Sequence, residues 1–202
     1  MTTSLPDIAN KLAAYQPRKA WWRRWSNRAA VTAVVADRPE LGGSSVLLMR
    51  RSTREGDPWS GHMSFPGGRR DAADRHVYDT AVRELAEETG LDIHHHGDYL
   101  GRLSDVLARP RTLRRRPMVV TPFVFQLHNP HTPAWQPDPH EVDELLWVPL
   151  AFLADERNRD EMTWQRGKIS LTLPCYHYEG RRIWGLTLKM LDEFLGVVKA
   201  EK

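Results

Sequence analysis

The chain has 202 residues, 41% of them hydrophobic, enough for one well-buried domain. A formal net charge of +3 is too modest to argue for nucleic-acid binding, and a single cysteine, Cys175, excludes an intramolecular disulfide. No apolar run approaches the ~20 residues that span a membrane, and the opening MTTSLPDIANKLAAY lacks the apolar core of a signal peptide, so a reducing, cytoplasmic compartment is expected.

Residues 1–28 read as an N-terminal extension with some helix, and residues 29–202 as one domain. The extension ends in a basic, Trp-rich stretch: Arg18, Lys19, Trp21, Trp22, Arg23, Arg24 and Trp25. It is expected to pack on its own domain; a membrane, partner or homodimer contact is the alternative. Residues 30–36 and 45–51 read as strands from their β-branched and apolar runs, joined by a turn over 37–43. Residues 53–61 form a Gly/Pro/Ser-rich loop, and a helix is expected over 80–89, with Asp79 as N-cap and Gly90 just past its end. Residues 93–98, with three consecutive histidines, read as a solvated link. Strands are expected over 99–106, 118–126 and 144–149, then a short helix over 150–155. Residues 170–174 are expected to pair with 182–184. Leu186, Met190, Phe194 and Val198 recur every four residues and predict a terminal amphipathic helix. Cys175 has no motif around it and reads as a buried strand cysteine. The mixture is α+β in character.

The most informative stretch is GGRRDAADRHVYDTAVRELAEETG, residues 67–90. On a helix, Glu84, Glu87 and Glu88 fall within one face, while Val82, Leu85 and Ala86 fall on the other. Clustered carboxylates repel unless a cation neutralises them, and hard divalent cations prefer oxygen ligands. Arg83, four residues before Glu87, is placed to pair with a carboxylate and fix its direction. Gly67 and Gly68 allow a close backbone approach, and a carbonyl there, Gly68 in particular, can complete a metal shell.

Gly68, Asp74, Arg83, Glu84, Leu85, Glu87, Glu88, Gly90 and Leu91 resemble the Nudix box, G-x5-E-x7-R-E-U-x-E-E-x-G-U with U a bulky aliphatic. Two departures stand out: Asp74 replaces the first Glu, and eight residues rather than seven separate it from Arg83. The longer spacing resembles the coenzyme A diphosphatase branch, as do Phe65-Pro66-Gly67-Gly68 and the Ile183-Trp184-Gly185-Leu186-Thr187 segment. That branch carries a His, a Gly and a Glu or Gln ahead of its F-P-G-G, where this chain has Trp59, Gly61 and His62.

The resemblance implies a Nudix fold, a mixed β-sheet sandwiched between helices (α/β/α). It implies an Mg²⁺- or Mn²⁺-dependent hydrolase that splits the diphosphate of a nucleoside diphosphate linked to another group, coenzyme A or a derivative first. A nucleotide sugar or ADP-ribose hydrolase is the alternative, and a non-catalytic binding module the remote one. The implied metal ligands are Gly68, Glu84, Glu87 and Glu88, with Glu87, Glu88 and Arg83 in the catalytic centre. Glu141, ahead of the strand at 144–149, is the expected base or an extra metal contact. Arg51, Arg69, Arg109, Arg111 and Arg115 are the expected phosphate contacts, since the arginine fork suits phosphate oxygens. The partner is a small nucleotide-type molecule; the basic loop at 109–116 lacks the interleaved aromatics that stack nucleic-acid bases.

Overall fold

A computed structural model describes residues 4–54, 60–108, 117–131, 135–166 and 169–200. Its centre is β1 (Asn27–Arg38), a strand buried on both faces. β1 runs parallel to β7 (Met118–Leu127) on one edge. Its other edge is shared end to end by two antiparallel partners. β2 (Gly43–Arg51) takes residues 35–38, and the short β4 (Gly67–Arg69) takes 29–31. β2 pairs onward with β3 (Met63–Ser64) and β8 (Val142–Pro149), and β7 with β5 (Gly97–Arg102) and β6 (Val106–Ala108). The sheet is therefore mixed, which the α+β reading anticipated.

Alternation along β1 divides the core. Ala29, Ala33 and Val35 pack with α1 (Leu5–Ala14), α4 (Leu150–Ala154) and α5 (Gly185–Lys199). Ala30, Val34 and Ala36 face α2 (Val77–Thr89) and α3 (Ile93–His96). Helices thus cover both faces, as a strand apolar on both sides requires. Ile8 and Leu12 of α1 are buried in the main core, so this part of the extension packs on its own domain. Trp21 and Trp25 of the 3₁₀ turn Trp21–Trp25 stay exposed, at 81% and 71%.

Several boundaries differ from the sequence reading. α2 starts three residues earlier, because the Asp79 carboxylate accepts from the His76 amide; Asp79 is the third helical residue of a capping arrangement and His76 the N-cap. The histidine link contains α3, capped by the Asp92 carboxylate accepting from the His94 amide. The strand expected over 99–106 breaks into β5 and β6, where the chain turns to place Ser104 and Asp105. β10 (Ile169–Tyr178) pairs from Ile169 to Tyr176 with β9 (Arg159–Arg166), a strand absent from the reading, and only Cys175–Tyr178 meet β11 (Arg181–Trp184). The polar, charged sequence of β9, RDEMTWQR, gave no apolar alternation to read.

Candidate active site

The two glycines of β4 have separate reasons to be glycine. At Gly67, φ is +148° and a Cβ would overlap the Ala30 carbonyl and the Val31 backbone, so β4 can lie against β1 only without a side chain. At Gly68 a Cβ would overlap the Glu84 carboxylate. Thr32 holds this junction from the sheet: its amide donates to Pro66 O (2.8 Å) and its hydroxyl to Ala81 O on α2 (3.0 Å). Thr187 of α5 donates to Met63 O (3.0 Å), so the I-W-G-L-T segment pins the strand that leads into the glycines.

The three helix glutamates share a face but not an environment. Glu87 is exposed, Glu84 has 15% of its side chain exposed, and Glu88 is 2% exposed. This gradient follows their angular order around α2 toward buried Leu85. Arg83 organises the outer pair. Its Nη1 donates to Glu87 (2.8 Å) and lies 2.9 Å from Glu84 Oε1. Its Nε and Nη2 each donate to Asp74 at 3.1 Å, and Nη2 also reaches Arg69 O. Asp74 is buried and also accepts from the Asp71 amide and the Thr80 hydroxyl. The Arg83 guanidinium, ahead of the opposing effect of burial, holds the Asp74 carboxyl far below its usual range. With all three nitrogens engaged, Arg83 is a positioning residue.

Glu88 is the opposite case. Its Oε2 accepts from the Gly67 amide (2.7 Å), its single hydrogen-bond donor among the described residues. Burial, aided by Glu84 and Glu141 nearby, pushes its pKa up to about 8, against the smaller downward pull of Gly67 and Arg51. Burial also raises Glu84, with Arg83 opposing.

A second wall comes from a distant stretch of chain. The Gln136 and Asp138 amides donate to the Thr89 and Glu88 carbonyls, 2.9 and 3.2 Å, completing the last turn of α2. The Glu141 and Val142 amides turn back onto Asp138 O, and Ser52 N donates to Glu141 O, so Glu141 is held beside the end of β2. Its half-exposed carboxylate lies 3.8 Å from Arg54 Nη2 and is close enough to raise both Glu84 and Glu88. Arg51, at the end of β2, is near enough to favour ionised Glu88. His62 packs edge-on against Trp184, centroids 5.1 Å apart.

The fold therefore brings Arg51, Gly68, Arg83, Glu84, Glu87, Glu88 and Glu141 together, and Arg69 lies exposed at the end of β4. Arg109, Arg111, Arg115 and Trp59 lie outside the described residues. Sequence reasoning missed the amides of Gln136 and Asp138 and the Arg54–Glu141 pair; main-chain caps and single charges across long separations leave no local pattern.

Comparison with known proteins points the same way. The NUDIX domain family model matches residues 26–170. The human mitochondrial coenzyme A diphosphatase NUDT8 is 34% identical over 169 residues, 83% of this chain and 68% of the relative. An uncharacterized protein of Schizosaccharomyces pombe is 38% identical over 109 residues, 54% of this chain; the match spans about a third, 32%, of that relative. Among solved structures, the NUDIX hydrolase of Alicyclobacillus acidocaldarius superposes with a TM-score of 0.52 at 17% identity, over 87% of this chain and 93% of that one, a likeness of fold.

Proposed function

On the premise that this chain belongs to the Nudix family, we propose that it is a divalent-metal-dependent hydrolase of coenzyme A or a close derivative, cutting the diphosphate into a 3′,5′-ADP half and a phosphopantetheine half. The observation that carries the metal reading is Glu88, a buried carboxylate given one amide and set beside two further carboxylates. The donor set is all oxygen and carries more negative charge than its arginines offset, which fits Mg²⁺ or Mn²⁺. Glu84 and Glu88 would hold the ion with the Gly68 carbonyl, and Glu87 would contribute at the outer edge. Such an ion neutralises charge on phosphoryl oxygens and lowers the pKa of a bound water.

The chain's own groups do the rest. Arg83 holds Glu84 and Glu87 in place. Arg51 and Arg69 take substrate phosphate oxygens, and Arg109, Arg111 and Arg115 take the 3′-phosphate. Glu141, half-exposed beside the carboxylates, accepts the proton from the attacking water. Glu141→Gln is expected to lose the basic-group limb of the pH–rate profile; an unchanged profile removes Glu141 as the base.

The coenzyme A preference is supported by the name of the NUDT8 relative and by the longer Asp74–Arg83 spacing. The departures at Trp59 and His62 favour a second reading, a nucleotide sugar or ADP-ribose hydrolase. Incubation with Mg²⁺ or Mn²⁺ and a panel of coenzyme A, dephospho-coenzyme A, ADP-ribose, nucleotide sugars and nucleoside triphosphates, with products identified by mass, decides between them. Fastest cleavage of coenzyme A is expected; preference for ADP-ribose or a nucleotide sugar overturns the substrate, and no cleavage overturns the hydrolase.

A further inference from the structure

The small sheet β9–β10–β11 carries a second cluster of ligating side chains. Cys175 and His177 are two residues apart on β10 and so share a face. Asp160 of β9 lies directly across from Cys175. The His177 ring sits between the other two. Its Nδ1 is 3.3 Å from Asp160 Oδ2 and its Nε2 is 4.0 Å from Cys175 Sγ. One donor atom from each residue falls within 4.8 Å of the others. Cys175 is fully buried, whereas His177 and Asp160 are 50% and 59% exposed, so the sulfur forms the floor of a site open to solvent on the other two sides.

From this arrangement we infer that Asp160, Cys175 and His177 form a binding site for a borderline-soft divalent cation, Zn²⁺ in the first place. The chemistry selects the ion. A thiolate and an imidazole suit zinc and disfavour Mg²⁺ or Ca²⁺, which seek oxygen. Three protein ligands leave a fourth tetrahedral position to water, on the exposed side. Ligand atoms in such a shell stand about 3.5 Å apart, so the trio closes by small side-chain rotations. The Cys175 proton passes to solvent as the ion binds, and thiolate plus carboxylate balance the 2+ charge.

Two rival roles are weaker. A nucleophilic thiol needs an exposed sulfur, and Cys175 has none. A plain His177–Asp160 ion pair explains the exposed partners but not the sulfur beneath them. The neighbouring cations are Arg159, engaged by Asp192 at 2.5 and 2.9 Å, and Arg182, across from His177 and directed to Met162 Sδ at 3.9 Å. Neither contacts the trio's carboxylate in the structure.

Co²⁺ titration of the metal-free full-length protein tests the site, because cobalt bound to a thiolate gives a near-ultraviolet charge-transfer band that carboxylate-bound cobalt lacks. One equivalent of band is expected in the wild-type protein and in Glu88→Gln, bleached by Zn²⁺ and untouched by excess Mg²⁺. Cys175→Ser should abolish it. His177→Ala and Asp160→Asn, both at exposed positions, each remove a ligand and should weaken cobalt binding by at least roughly 10- to 100-fold, the loss that removing even an outer partner of a metal ligand brings. No band in the wild-type protein, a band of equal affinity in His177→Ala, or displacement by Mg²⁺ overturns the assignment.

Discussion

Two buried carboxylates, Asp105 and Glu88, respond to the same burial in opposite ways. The Asp105 side chain is 1% exposed and Glu88 2%. Asp105 accepts from the Thr121 hydroxyl (2.8 Å), the Ala20 amide (2.9 Å) and Arg102 (2.6 Å), with Arg23 at 3.6 Å. Burial pushes its pKa up, but these donors outweigh it and the group ends below its ordinary value. Glu88 receives one amide and faces two other carboxylates, and burial leaves it near 8. A carboxylate whose donors are all supplied fastens a structure. One left short of donors in a dry place holds a proton to a higher pH, or, on the reading proposed above, takes a cation. Asp105 fastens the N-terminal extension: Ala20 and Arg23 reach its carboxylate, its amide donates to Arg18 O, and adjacent Ser104 takes Arg18 N and Tyr15.

Reciprocal substitutions break the comparison most sharply. Glu88→Gln should cut turnover roughly 10²- to 10³-fold, the scale of losing one charge-stabilising group, without unfolding the protein. Asp105→Asn should do the reverse. It leaves arginines around an uncharged amide and should cost about 3–5 kcal/mol of stability in denaturant titration, with turnover per folded molecule retained. Equal stability losses in both variants would erase the distinction.

A smaller effect separates the pair by pH in metal-free protein. Glu88 is raised from an ordinary 4.5 to about 8, so its folded state binds the extra proton between those values. Its contribution is complete below about 4.5 and is lost as pH rises toward 8, on the order of a few kcal/mol. Asp105 is lowered, so its contribution is present above its ordinary value and lost as pH falls. Metal-free Glu88→Gln should therefore lose less stability than wild type between pH 5 and about 8. Parallel curves over that interval would remove the raised Glu88 from the account.

The sequence exposed one of these carboxylates and hid the other. Glu88 sits in a local pattern: spacings of three and four place it beside Glu84, and the glycine pair and Gly90 bracket the helix that carries it. Even its burial follows from the helical wheel, because it lies on the Leu85 side of the trio. Asp105 has no such frame. Its partners come from residues 20, 23, 102 and 121, and only folding brings them together. Glu141 is picked out by the family resemblance alone, since its approach to the helix depends on Gln136 and Asp138 amides capping α2, and β9 is a polar strand recognisable only from its partner β10. Repeats within a turn or a pleat are legible in one sequence; hydrogen bonds between distant main-chain segments are not.

On the proposed reading, a divalent cation completes Glu88. Thermal or denaturant unfolding of wild type and Glu88→Gln, with and without Mn²⁺, tests it directly. At an Mn²⁺ concentration about 100 times the dissociation constant, wild type should gain about 2.7 kcal/mol. Glu88→Gln should gain almost none at the same concentration. Equal stabilisation of both proteins, or none of wild type, would contradict it.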